Sequence, residues 1–143
     1  MKYEKSCGAV VFTCVDSEIR YVLVQSRAGH FGFPKGHMEI GETEEETALR
    51  EVFEEVRLRP LLLKNFREVS EYVLPSSHAQ KQVVFFLGYY ELQEIFLQEA
   101  ELQQAVLVSY EEALVLLEHE DNRRILKNAD LFLKNDRKDK DHV

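Results

Sequence analysis

A cluster of glutamates near the middle of the chain is the clearest sign of chemistry in the sequence. The run Arg50-Glu51-Val52-Phe53-Glu54-Glu55 holds three carboxylates. On a helix, Glu51, Glu54 and Glu55 would span only about 100° of arc, so they would point the same way. Such a face is commonly a solvated helix surface, where carboxylates about 5 Å apart repel by only about 1 kcal/mol. In a cleft, however, the cluster needs a counterion, and its hard oxygen ligands select Mg²⁺ or Mn²⁺.

Helix signals surround this cluster. Thr43 and Glu46 match a capping box, which predicts that a helix begins there and runs to about Val56. The predicted apolar face contains Ala48, Leu49, Val52, Phe53 and Val56. The carboxylates are therefore predicted to lie on the opposite face, where Arg50 can pair with Glu54 at the i, i+4 spacing.

Strands are predicted on both sides of this helix. Apolar runs predict strands at 7–12, 21–25, 66–73, 83–90 and 105–108. The segment 28–41, which holds four of the six glycines, and the segment 74–82 are predicted to be loops. A second capping box at Ser109 and Glu112 predicts a helix to about His119, and Asp121 or Asn122 would cap a last helix.

This order of elements predicts one domain over residues 1–134, of the α+β class or a layered α/β/α arrangement. The segment 135–143 is almost entirely charged and is predicted to be a disordered tail.

Composition limits the classes of partner. The net charge of −8 argues against a nucleic acid or an anionic membrane as the main partner, although cations can bridge an acidic protein to a polyphosphate. Cys7 and Cys14 do not form a disulfide framework, and neither a signal peptide nor a membrane span is evident. These features predict a cytoplasmic protein.

The spacing of charged residues matches a known motif. Gly36, five residues, Glu42, seven residues and then the run from Arg50 to Leu58 resemble the Nudix box, G-x5-E-x7-R-E-U-x-E-E-x-G-U, where U is a bulky aliphatic residue. Every glycine or charged position up to Glu55 matches. The late glycine of the box, which normally ends the helix in a left-handed conformation, is Arg57 here.

The resemblance implies a fold and an activity. The fold would be the Nudix α/β/α sandwich with a mixed central sheet. The activity would be hydrolysis of a nucleoside diphosphate linked to another moiety, with Mg²⁺ or Mn²⁺ neutralising the phosphates and activating water.

The resemblance also implies roles for individual residues. Glu51, Glu54 and Glu55 would ligate the metal, together with the Gly36 carbonyl. Glu42 and Arg50 would position these carboxylates. Because the general base of this family varies and can lie outside the box, Glu101 is a candidate base or extra ligand. The catalytic set is thus Glu54, Glu51, Arg50 and Glu101.

The residues before the box resemble one subgroup. Phe33-Pro34-Lys35-Gly36-His37 is similar to the loop of diadenosine tetraphosphate hydrolases and their bacterial relatives. In that resemblance Lys35 and Lys81 would bind phosphate, Tyr72 would stack on a base, and His37 would also bind the substrate. The alternatives are a half-buried strand tyrosine at position 72 and an ordinary surface histidine at position 37. A second stacking aromatic found in some relatives corresponds to Ala105 here.

Three hypotheses remain open at this point. The first is an asymmetric dinucleoside polyphosphate hydrolase, the second a nucleoside triphosphate pyrophosphatase, and the third a nucleotide-binding Nudix module without turnover. All three predict a small nucleotide partner, and a monomer or a homodimer is compatible with each.

Overall fold

A mixed eight-stranded sheet forms the middle layer of the molecule. The computed structural model describes residues 3–141, with side chains described up to residue 136. The strands are β1 (Tyr3–Val15), β2 (Glu18–Ser26), β3 (Phe31–Gly32), β4 (Lys35–His37), β5 (Leu61–Leu62), β6 (Glu68–Val73), β7 (Gln80–Tyr89) and β8 (Leu102–Val108). The helices are α1 (Glu44–Val56), α2 (Tyr110–Leu116) and α3 (Glu120–Asp141).

The long strand β1 organises the sheet. It pairs in parallel with β7, whereas all other pairings are antiparallel. The main strand order is β3-β2-β1-β7-β5, with β4 paired to β1, β6 to β7 and β8 to β2. One half of β1 therefore contacts β2 and the other half contacts β4, which places β4 inside the sheet's central region.

Apolar residues on both faces of β1 explain the layers. Val10 and Phe12 pack towards α2 and α3, in a core that includes Ile125. Ala9 and Val11 face the other way and pack with α1, in a second core. A strand buried on both sides requires helices on both sides. The predicted α/β/α sandwich with a mixed sheet is confirmed.

The helix starts agree with the sequence signals for α1 and α2. Thr43 and Glu46 form the reciprocal capping box of α1, and Ser109 and Glu112 form that of α2. The end of α1 is unusual, because Arg57 adopts the left-handed conformation (φ 60°, ψ 25°) and its N–H donates to the Phe53 carbonyl. Arg57 thus takes the backbone conformation that the box normally assigns to glycine.

Several predicted boundaries are wrong. The segment 28–41 contains the short strands β3 and β4, β7 begins at Gln80, β8 begins at Leu102, and α2 ends at Leu116. Neither Asp121 nor Asn122 caps α3, because the helix already begins at Glu120. Asp121 instead accepts a hydrogen bond from Ser70 on β6. The extra strands and the earlier starts of β7 and β8 share a cause: cross-strand hydrogen bonds include residues whose local pattern suggests loops.

The last helix reaches into the charged end of the chain. The backbone of α3 continues as far as Asp141, and residues 142 and 143 lie outside the described part. A disordered tail over 135–143 stays a prediction. Within the described residues, no helix is long and apolar enough to cross a membrane.

Candidate active site

A close approach between β4 and α1 begins the site. Gly36 of β4 pairs with Cys7 of β1, so its backbone is held in the sheet. The carboxyl group of Glu51 lies directly against Gly36, and a Cβ atom placed there would be only 2.1 Å from Glu51 Cδ and Oε2. Glycine is therefore needed at position 36 because the Glu51 carboxylate occupies the space of a side chain.

Arg50 connects the carboxylates around this point. Its Nε and Nη2 donate to the two carboxylate oxygens of Glu42 at 2.6 and 3.0 Å. Its Nη1 donates to Glu51 at 2.7 Å and to Glu54 at 3.3 Å. Its Nη2 also donates to the His37 carbonyl at 2.9 Å. One guanidinium thus holds three glutamates and the end of β4 in fixed relative positions.

The charges of this network differ between its members. The Arg50 guanidinium lowers the pKa of Glu42 to about 2. Burial raises the pKa of Glu51, although its hydrogen bond to Arg50 opposes that shift. Glu42 is therefore an ionised partner for Arg50 near neutral pH, while Glu51 lies deeper in the protein.

Glu55 lies on the buried side of α1, which differs from the predicted face. Only 8% of Glu55 is exposed, whereas Leu49, predicted to be buried, is 37% exposed. The backbone N–H of Lys35 donates to Glu55 Oε2 over a long distance of 3.4 Å. Burial raises the pKa of Glu55 to about 8. A buried carboxylate with one weak donor favours the approach of a cation.

Glu101 reaches the same cluster from a different element. It lies in the turn before β8, is exposed, and its charge contributes to the raised pKa values of both Glu51 and Glu55. The segment before it is attached to the end of α1, because Phe96 and Gln98 donate N–H hydrogen bonds to the carbonyls of Val56 and Glu55, each at 3.0 Å. The structure thus brings Glu101 near the box carboxylates.

The donor set fits a hard divalent cation. Glu51, Glu54, Glu55 and Glu101 all offer carboxylate oxygens, and the buried Glu55 carboxylate accepts one long hydrogen bond, which offsets little of its loss of solvation. Among the described residues, no three His, Cys, Asp or Glu side chains are already arranged around one point as an ion site. Glu51 and Glu54 are turned towards Arg50, which contacts Oε1 of Glu51 and both carboxylate oxygens of Glu54.

A second group of side chains lies beyond β4 and is cationic. Lys81 on β7 is only 5% exposed, and its Nζ donates to Ser6 Oγ at 2.6 Å and lies 3.1 Å from His37 Nε2. Burial and the neighbouring Lys35 lower the pKa of Lys81. Within the described residues Lys81 forms no ion pair, and the charge of Glu4 opposes the lowering of its pKa.

Tyr72 is opposite Lys81 in the antiparallel pair of β6 and β7. It is 44% exposed, and with Lys35 and Glu55 it lines a cavity of about 580 Å³. This volume is within the usual range for small-molecule sites. The cavity thus connects the buried Glu55 carboxylate to an exposed aromatic ring, whereas Lys81 and His37 are not among its lining residues. The substrate-binding roles of Lys35, His37, Tyr72 and Lys81 stay predictions.

Other residues of the cavity are not predicted by the sequence. Its apolar floor includes Val24, Phe33, Val83, Phe85 and Leu102, and its polar wall includes Ser26, His30, Ser70, His119, Asp121 and Asn122. These residues belong to strands and loops that are far apart in sequence. No local pattern groups them, although the sequence does single out Asp121 and Asn122 as possible helix caps.

Comparisons with known proteins agree with this geometry. The NUDIX domain pattern matches residues 5–129. The chain is 28% identical over 141 residues to the rat bis(5'-nucleosyl)-tetraphosphatase (asymmetrical), covering 90% of this chain and 95% of the rat protein.

Solved structures share the fold. A binary complex of the C. elegans Ap4A hydrolase superposes with a TM-score of 0.85 at 23% identity, covering 92% of this chain and 98% of that one. The NUDIX domain of Shewanella oneidensis NrtR, complexed with ADP ribose, superposes with a TM-score of 0.75 at 20% identity, covering 93% and 90%. With the family pattern matched over residues 5–129, the chain belongs to the Nudix family and is a Nudix hydrolase.

Proposed function

We propose that this Nudix hydrolase is a divalent-metal-dependent enzyme that cleaves a dinucleoside polyphosphate such as diadenosine tetraphosphate. The observation that carries the proposal is the position of Glu55: it is buried at the end of a cavity that also presents Lys35 and Tyr72. Similarity to the rat tetraphosphatase over 90% of the chain supports the same substrate class.

The carboxylate cluster would hold the cofactor. Glu51, Glu54, Glu55 and the Gly36 carbonyl would bind Mg²⁺ or Mn²⁺, which when bound supplies charge neutralisation and a more acidic water. Arg50 and Glu42 orient the carboxylates by the hydrogen bonds described above.

The reaction needs a base near this cluster. Glu101, or Glu54 of the helix, would accept the proton of the attacking water. The water oxygen bonds to phosphorus, the phosphoanhydride bond breaks, and the second nucleotide leaves with its bridging oxygen. For diadenosine tetraphosphate, asymmetric cleavage gives ATP and AMP.

The cationic group and the ring would bind the substrate. Lys81 and Lys35 would contact phosphate oxygens, with His37 beside them, because the Lys81 amine lies 3.1 Å from His37 Nε2 and Lys35 lines the cavity next to Glu55. Tyr72 would stack on one base, an interaction that contributes about 1–3 kcal/mol.

A nucleoside triphosphate pyrophosphatase is the second candidate. It is favoured by Ala105, which stands on β8 where some dinucleotide hydrolases have a second stacking aromatic. A site without an aromatic ring at position 105 would suit a substrate with one nucleoside. Cleavage products distinguish the two candidates directly.

The decisive experiment is a substrate panel with Mg²⁺ and with Mn²⁺, with products separated by chromatography. We expect ATP and AMP from diadenosine tetraphosphate, and water labelled with ¹⁸O identifies the attacked phosphorus. Release of pyrophosphate from nucleoside triphosphates, without cleavage of the tetraphosphate, would replace the first candidate by the second. Binding of nucleotide without any turnover would contradict both.

Matched substitutions on α1 test the metal site. Glu54→Gln is expected to lower kcat by about 100-fold or more, since a positioned ligand or base contributes at least that much. Glu45→Gln makes the same charge change in the exposed first turn of the same helix and should leave kcat unchanged. Equal activity of the two variants would remove Glu54 from the mechanism.

Substitutions of Tyr72 test the substrate side. Tyr72→Leu removes the ring and is expected to raise KM at least fivefold, corresponding to the lower end of the stacking free energy of about 1–3 kcal/mol. Tyr72→Phe keeps the ring and should restore the normal KM. If Tyr72→Phe raises KM as much as Tyr72→Leu does, Tyr72 does not stack on the base.

A further inference from the structure

The turn that carries Glu101 depends on contacts made by its neighbours. Glu101 forms no hydrogen bond or ion pair with any described residue, so nothing holds its carboxylate directly. Its position is determined by the backbone of residues 98–102. Leu102 donates its N–H to the Gln98 carbonyl at 3.2 Å, which closes the turn.

Two separate elements hold this turn. The first is α1, through the N–H of Gln98 on the Glu55 carbonyl at 3.0 Å. The second is the hairpin between β2 and β3, where the Arg27 guanidinium donates through Nη2 to the Glu99 carbonyl. Gln103 completes the second contact by donating its Nε2 to the Arg27 carbonyl at 2.7 Å.

An irregularity in the sheet makes this contact possible. The pairing of β2 with β8 shifts between Gln25 and Ser26, so that Gln25 is opposite Gln104 and Ser26 is opposite Leu102. Gln103 is left without a partner across the ladder, and its side chain reaches Arg27 instead. Bulges of this kind redirect nearby side chains, often beside active sites.

We propose that Arg27 is a positioning residue for Glu101. It holds the turn against the β2–β3 hairpin, so that the Glu101 carboxylate stays close to Glu51 and Glu55, where it acts on the reacting water or on the bound cation. A guanidinium–carbonyl hydrogen bond is charge-assisted, and it is the contact that holds the turn at Glu99 itself, whereas the other contacts lie at Gln98 and Gln103 on either side. The inference rests on the proposed function, because it assigns Glu101 to the same reaction.

A structural measurement tests the contact independently of turnover. Hydrogen exchange of the Gln98 and Leu102 amides is expected to be at least tenfold faster in Arg27→Ala than in the wild type. Arg20→Ala, which removes a partly exposed arginine from the far end of β2 where it pairs with Glu18 and Glu112, is the control and should leave these amides unchanged. Unchanged exchange in Arg27→Ala would overturn the proposal.

Kinetics then test the link to Glu101. Arg27→Ala should lower kcat about tenfold with little change in KM, and Arg27→Lys should recover part of the loss. In a Glu101→Gln background, Arg27→Ala should have no further effect on kcat, since both substitutions remove the same contribution. Additive losses, or a loss confined to KM, would overturn the positioning role even if the exchange result is as expected.

The wild-type enzyme separates this inference from the proposed function. If it cleaves none of the panel substrates with Mg²⁺ or Mn²⁺, the proposed function fails, while the exchange experiment still decides whether Arg27 holds the turn. If it cleaves a substrate and Arg27→Ala retains full kcat, the proposed function stands and the role of Arg27 is refuted.

Discussion

Gly36→Ala should separate catalysis from folding more sharply than any other single change. The added Cβ would lie 2.1 Å from Glu51 Cδ and Oε2, so the carboxylate must retreat by more than about 1 Å to reach a normal contact of about 3.5 Å. These atoms are the end of a flexible side chain, and Glu51 can swing away. The free energy of unfolding should fall by no more than the contribution of the Arg50–Glu51 ion pair, about 1 kcal/mol.

The effect on catalysis should be larger. A displacement of about 1 Å in a catalytic group costs about 100-fold in rate, which corresponds to about 2.7 kcal/mol of activation free energy. The assay is kcat with Mg²⁺ on the preferred substrate, together with urea unfolding of the same preparation. Most of the effect should appear in kcat, and little in the unfolding midpoint.

A second glycine provides the control. Gly41 has a φ of +89°, and a Cβ added to it would have no atom within 4 Å, so Gly41→Ala strains the backbone without touching the carboxylates. It should lower the free energy of unfolding by about 1 kcal/mol and leave kcat unchanged. If Gly36→Ala keeps its kcat within threefold of the wild type, the contact between Gly36 and Glu51 is not what orders the site.

Two further predictions concern α1. Arg57→Val places a β-branched residue at a φ of 60° and should lower the free energy of unfolding, measured in urea, by about 1–2 kcal/mol. Arg57→Gly should change it by no more than about 1 kcal/mol. Glycine relieves the backbone strain, but it also raises the entropy of the unfolded chain and loses the contact with the Phe53 ring. For Glu55, burial raises the pKa in the folded protein from 4.5 to about 8. Its contribution to stability is therefore full below about pH 4.5 and is lost as the pH rises through about 8. Without metal, the Tm of the wild type should fall across this window relative to Glu55→Gln, and parallel curves would contradict the burial argument.

Local patterns are sufficient where a short segment specifies its own structure. The capping boxes at Thr43 and Ser109 predict both helix starts, because a cap depends on residues three positions apart. The spacing from Gly36 to Glu55 likewise identifies the family and most of the carboxylate cluster. Short strands such as β3 and β4 could not be predicted, since two or three residues carry no periodicity and are strands only through their partners.

The sequence by itself determined which residues form the acidic helix and that this helix belongs to a Nudix hydrolase. Only the tertiary structure decided that Glu55 is buried and Glu51 rests on Gly36, because burial depends on which surface of α1 meets the sheet. It alone also placed Glu101 beside the helix through Gln98 and Arg27. Contacts between residues more than forty positions apart arise from strand pairing and packing, and no window of sequence contains both partners.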